Sequence, residues 1–144
     1  MTMPTDGMLL AIDWGEKRIG LALSNPEQTL AHPLGTITRR PGKRFPLKQL
    51  RTHLDEHHPV GVVVGLPLEA SGERGPAAER AVAAGELVRS KTGLPVVYWD
   101  ERMTTARALG AVRDLGGSTR HRRGDVDQLA ATVLLQHYLD GQRA

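Results

Sequence analysis

Val60–Leu66 is a short apolar run closed by a proline at either end, Pro59 and Pro67, and it constrains the fold more than any other segment. An earlier run, Met8 to Asp13, is nearly continuous in apolar residues and ends in a carboxylate. Runs of this length and composition read as buried strands. Gly15 to Arg18 is a polar turn after the first of them, and Ile19 to Ser24 reads as the strand that returns from it. A weaker third strand covers about Leu34 to Thr38. Leu47, Leu50 and Leu54 are spaced for one face of a helix that must stop before Pro59.

The second half alternates helix and strand. The stretch Pro67 to Gly75 is a loop carrying Ser71, Gly72 and Gly75. Pro76 suits the first turn of an alanine-rich helix running to about Ser90, with Gly93 as its stop. Leu94 to Trp99 is the last strand, followed at once by Asp100, Glu101 and Arg102. Thr104 or Thr105 can cap a helix ending near Gly116, and a final helix spans about Val126 to Asp140. The order is β-β-β-α-β-α-β-α-α. It predicts an α/β fold: a mixed five-stranded sheet, three antiparallel strands and then two parallel ones, flanked by helices. This order matches the ribonuclease H-like fold. With 144 residues the chain is expected to form a single domain over 1–144.

Composition narrows the function classes. The chain has no cysteine, which excludes disulfides and thiolate metal sites. Neither a signal peptide nor an apolar run of membrane-spanning length is visible, so a soluble, cytoplasmic protein with no membrane partner is expected. The net charge is +3 and the pI about 9.7. The basic residues are grouped in two runs, Arg39, Arg40, Lys43 and Arg44, then Arg120, His121, Arg122 and Arg123. Bracketed by Gly or Pro, both read as loops, either solvated or touching a polyanion. Trp14, Phe45, Tyr98, Trp99 and Tyr138 are the only aromatic residues. That is too few for a multi-base stacking platform, so nucleic-acid contact should be mostly to phosphates and shape.

Several carboxylates could carry chemistry. Asp13 ends the first strand; it is either a turn aspartate accepting N–H bonds from the Gly15 loop or a metal ligand. Asp100 and Glu101 follow the last strand, and only one of them can point inward if the strand pleat continues. If the two strands are parallel neighbours, their ends share the edge where open α/β sheets place ligands. Asp125 and Gln128 have capping-box spacing, and Asp127 either complements the helix dipole or looks across the sheet end toward Asp13. Val126, Leu129, Ala130, Val133 and Leu134 should form the buried face of that helix. Three converging carboxylates would suit hard cations, Mg²⁺ or Mn²⁺.

Asp13-Trp-Gly15-Glu-Lys17-Arg18-Ile-Gly20-Leu-Ala22-Leu-Ser24 resembles the opening signature of the YqgF (RuvX) family, which is related to the RuvC resolvases in the ribonuclease H-like superfamily. Gly65-Leu66-Pro67 with Ser71-Gly72 is similar to its second motif, and Asp100-Glu101-Arg102 with Thr104-Thr105 to its third. Asp127-Gln128-Leu129-Ala130-Ala131, continuing through Leu135-Gln136-His-Tyr138-Leu139-Asp140, resembles its last. Asn25, Glu69 and Met103 depart from the usual pattern. So does Gly65, which stands near where RuvC enzymes carry a glutamate. The resemblance implies that Asp13, Glu101 and Asp127 are the catalytic, metal-binding carboxylates. It leaves open whether Asp100, Asp125 or Glu69 replaces one of them.

The resemblance also implies a nuclease that trims the 5′ end of pre-16S ribosomal RNA, resolves Holliday junctions, or both. Lys17 and Arg18 on the hairpin turn, with Arg102, are then expected to contact phosphates. A second class of reading is a non-catalytic RNA-binding factor in ribosome maturation or transcription. A nucleotide-binding fragment of the actin-like ATPases is disfavoured, since those proteins need a second domain and a second phosphate loop. The sequence leaves open RNA against DNA, endo- against exonuclease action, and oligomeric state. Symmetric cutting of a junction would favour a homodimer.

Overall fold

A computed structural model of the chain describes residues 2–15, 17–39, 45–100 and 123–143, the last segment with side chains from 128 to 142. The strands are β1 (Leu9–Trp14), β2 (Arg18–Ser24), β3 (Ala31–Thr38), β4 (Gly61–Leu66) and β5 (Val96–Asp100). They form one sheet in the order β3-β2-β1-β4-β5. β2 pairs antiparallel with β1 and β3, whereas β1–β4 and β4–β5 are parallel. This is the expected mixed sheet, and it brings the C-terminal ends of β1, β4 and β5 to one edge.

Helices α1 (Leu47–His57) and α2 (Pro76–Thr92) cover one face of the sheet, and α3 (Arg123–Arg143) covers the other. The strand pleat assigns the residues. Leu10 and Ile12 of β1 and Val62 and Val64 of β4 pack with Leu50, Leu54, Ala81 and Val88. Leu9, Ala11 and Val63 pack with Ala131, Leu134, Leu135, Tyr138 and Leu139. A central strand sandwiched in this way must be apolar at every position, which explains why β1 and β4 are uninterrupted runs.

Polar side chains fix α3 in place. Gln136 accepts a hydrogen bond from the Ala31 amide at 2.9 Å and donates to the Thr29 carbonyl at 3.0 Å. At the other edge of the sheet, Trp99 donates its indole N–H to His137 Nδ1 at 2.8 Å and meets Tyr138 edge-on. No described helix is long and apolar enough to cross a membrane.

Three boundaries differ from the sequence expectation. β3 begins at Ala31, not Leu34, and includes Pro33. An edge strand tolerates a proline, whose missing N–H can face away from the ladder, and the register shifts between Leu21 and Ala22 beside it. β5 starts two residues later than expected and includes Asp100 as its last residue. α3 starts at Arg123, so Asp125 lies inside the helix rather than at its cap, and the capping-box reading is withdrawn. Glycine at an early helical position costs about 1 kcal/mol, which the long buried stripe outweighs. That stripe is also rotated from expectation. Leu129 and Val133 are only half-buried, while Ala131, Leu135, Tyr138 and Leu139 join Ala130 and Leu134 inside. The expected helix between Thr104 and Gly116 lies outside the described residues, as does the basic run except for Arg123, which opens α3.

Candidate active site

Asp13 is the penultimate residue of β1, paired across the ladder with Gly20 and half-buried. By the strand alternation it follows Leu9 and Ala11 onto the face covered by α3. Burial of its neighbours sets the surroundings: Leu9 and Ala11 are fully buried and Ile12 is 1% exposed. The carboxylate therefore stands where an apolar strand meets the rim of the sheet.

The turn after Asp13 is tightly built. Gly15 approaches the Arg18 carbonyl so closely that a Cβ at position 15 would collide with that backbone oxygen. Arg39 fastens the turn from β3's side. Its guanidinium donates to the Gly15 carbonyl at 2.8 Å, and its amide donates to the Lys17 carbonyl at 2.7 Å. Gly15→Ala should cost about 1–3 kcal/mol of stability, the usual range for overpacking. Denaturant melting should show a lower midpoint at unchanged slope, and a midpoint equal to wild type would refute the close fit.

Trp14 points to the opposite face, where it joins the core of α1 and α2. Arg39 lies over its ring, 4.1 Å from the centroid, and Phe45 stacks on it at 5.5 Å with the planes 18° apart. Arg39 and Phe45 thus both sit on Trp14, while Arg40, Lys43 and Arg44 between them in the sequence lie outside the described residues. Sequence reasoning read Arg39 as part of a loop run and gave Trp14 and Phe45 no role. No spacing rule links these residues, since they are far apart in the chain and meet only through the sheet.

The other expected site residues divide clearly. Lys17 is exposed on the hairpin turn, and Arg18 is half-buried as the first residue of β2, opposite Thr38. Asp100 follows Val96 and Tyr98, so the alternation sends it toward α1 and α2, away from Asp13. Tyr98 on that face donates to the Val82 carbonyl and to Glu86; burial first and the Glu86 carboxylate second push its phenol well above the ordinary range. Glu69 lies against Gly75, the residue capping α2, where its charge complements the positive end of the helix. Among the described residues no group of three metal-capable side chains occurs, around Asp100 and Glu69 or elsewhere. Glu101 and Arg102 lie outside the described residues. Asp127 and Asp125 lie in α3, but outside its described side chains.

Comparison with known proteins agrees with this architecture. The profile of the RuvX family, described as Holliday junction resolvase, matches residues 7–141. A Chloroflexus aurantiacus protein provisionally named a pre-16S rRNA nuclease is 40% identical over 96% of this chain and 90% of its own. A Roseiflexus protein with the same name is 39% identical over 95% of this chain and 96% of its own. Among solved structures, Thermus thermophilus RuvC in complex with a Holliday junction substrate aligns with a TM-score of 0.55 over 96% of each chain, at 18% identity. That likeness identifies the fold as the ribonuclease H-like fold of the resolvases.

Proposed function

This chain belongs to the RuvX family of nucleases, enzymes that hydrolyse phosphodiester bonds, and from that premise we propose that it cuts structured nucleic acid using divalent metal held by Asp13, Glu101 and Asp127. The substrate is a ribosomal RNA precursor, a branched DNA, or both.

One observation supports the reading: Asp13 stands at the rim of the sheet on the face that α3 covers, and α3 is the helix that contains Asp127. β1 and β5 present Ala11, Val97 and Trp99 to the layer that α3 covers, and Asp13 continues the first of these series. Glu101, which the resemblance names, follows β5 directly in the sequence. Position 127 lies in α3, four residues before Ala131 and seven before Leu134, both of which are buried. The donor chemistry suits the ion, since carboxylate oxygens without sulfur select hard cations. Mg²⁺ or Mn²⁺ bound there would activate water and stabilise the leaving oxygen of an in-line displacement.

The protein's own contribution is to hold the strand. Lys17 and Arg18 flank the turn beyond Asp13 and would fix a phosphate near the scissile bond, with Arg102 as a third contact. No covalent nucleophile is required.

The test is a cleavage panel: a four-way DNA junction, single-stranded RNA and a ribosomal precursor, each with Mg²⁺, Mn²⁺ or a chelator. Cleavage of at least one substrate should require metal and stop with the chelator. Affinity should fall with salt, the logarithmic slope being about −0.9 per phosphate neutralised on duplex DNA. Tight binding with no cleavage under any condition would overturn the reading and return the chain to a binding role in ribosome maturation or transcription.

A further inference from the structure

Beside the turn that follows Asp13, on the face of the sheet opposite to it, lies a slot of about 280 Å³. Its apolar lining is aromatic where Trp14 and Phe45 contribute and aliphatic where Ala83, Ala84 and Leu87 of α2 do. Arg39, already bonded to the Gly15 carbonyl, and Arg80 complete the lining. The slot is below the ~300–1,000 Å³ of drug-sized ligand sites, but it admits one flat ring system. Apolar and aromatic walls suit a planar body, and the exposed Arg80 guanidinium suits an anion attached to it. Arg80 is exposed and has no carboxylate partner among the described residues. An apolar side chain of a protein partner would satisfy the walls but bring no charge for Arg80.

We propose that this slot receives one unstacked nucleobase of the substrate strand, with the phosphate next to that base held by Arg80. The proposal rests on the nuclease reading for the identity of the strand. Its geometry follows from the pleat: Asp13 and Trp14 are consecutive, about 3.8 Å apart at Cα, yet face opposite sides of the sheet. A strand crossing this edge can present a phosphate to Asp13 while the base of a neighbouring nucleotide turns over the rim into the slot. A base inside a continuous duplex cannot do so without the cost of being unpaired and unstacked. The slot therefore selects substrates with an unpaired nucleotide beside the cut, such as junctions, loops and single-stranded ends. One base held in this way is compatible with a chain too poor in aromatics to stack several.

Binding without metal tests the proposal on the full-length chain carrying Asp13→Asn. The probes are single-stranded RNAs and four-way DNA junctions carrying one 2-aminopurine at successive positions, and matched strands with an abasic site there. Fluorescence should be quenched at one position, and the base-bearing strand should bind about tenfold more tightly than its abasic match, the size of one base–aromatic stack. Ala83→Leu fills the slot from an exposed helical position and should abolish both the quenching and the preference; Ser90→Leu, elsewhere on α2, should change neither. Arg80→Ala keeps the slot open and should lower the salt slope by about one phosphate's worth.

Equal affinity for base-bearing and abasic strands in the Asp13→Asn chain would overturn the proposal and leave the slot to a protein side chain. So would quenching that persists in Ala83→Leu. The cleavage panel separates the two readings. Base-selective binding without cleavage removes the nuclease reading alone, and cleavage without base-selective binding removes the slot alone.

Discussion

Asp13→Asn should lose metal-dependent cleavage on the order of 10³-fold or more, because outer-shell partners of metal ligands alone are worth about 10–100-fold. Asparagine keeps the shape of the side chain and one of its two oxygens. It loses the negative charge that makes a hard cation prefer the site to water. Stability should move the other way. In the proposed site the carboxylates would repel each other when no cation is bound, so removing one charge should leave the metal-free midpoint unchanged or raised. Mn²⁺ should raise the melting temperature of wild type, by the linkage that stabilises any ligand-binding native state, and raise that of Asp13→Asn much less. Wild-type cleavage in the variant would refute the catalytic assignment. Loss of cleavage with a large fall in the metal-free melting temperature would reassign Asp13 to a structural role in the turn.

The parts of this fold written in local pattern were legible in the sequence. β1 and β4 declare themselves because both faces are covered, by α1 and α2 on one side and α3 on the other, so β1 meets no polar residue before Asp13 and β4 none at all. α2 shows its ends, since Pro76 opens it and Gly93 closes it in the left-handed conformation. Edge elements were harder to bound. Pro33 reads as a breaker, yet it sits within β3, where pairing on only one side makes the missing donor harmless. Gly124 hid the first turn of α3 for a similar reason, a local penalty overruled by tertiary burial.

The candidate site divides along the same line. Asp13 was legible because a carboxylate ending an apolar strand has few explanations. The seat of Arg39 and Phe45 on Trp14 was not, because it joins three segments that have no common period. A run of apolar letters does not say which way Asp100 faces; the strand alternation puts it on the side of α1 and α2, while Glu101 lies outside the described residues.

The choice between Asp100 and Glu101 is itself a strong prediction. Glu101→Gln should reduce cleavage by about 10²-fold or more, the scale on which losing one preorganised electrostatic contact acts, whereas Asp100→Asn should stay within a few-fold of wild type. The two residues are adjacent and equally acidic, so net charge and distance from the end of β5 cannot account for a difference; only the period of two can. Tyr98, two residues before Asp100, is bonded to α2, and Trp99, two residues before Glu101, is bonded to α3. Single-turnover cleavage rates in Mn²⁺ measure the effect, with binding followed separately so that lost affinity is not mistaken for lost chemistry. The reverse result would require the strand to break its alternation after Trp99, as at a bulge, and would replace Glu101 by Asp100 in the metal site. Combining Asp13→Asn with Glu101→Gln adds a second check. Ligands that grip one ion act as a unit, so the double variant should be little worse than Asp13→Asn alone. Independent contacts would instead multiply their losses, and multiplied losses would place the two acids at separate sites.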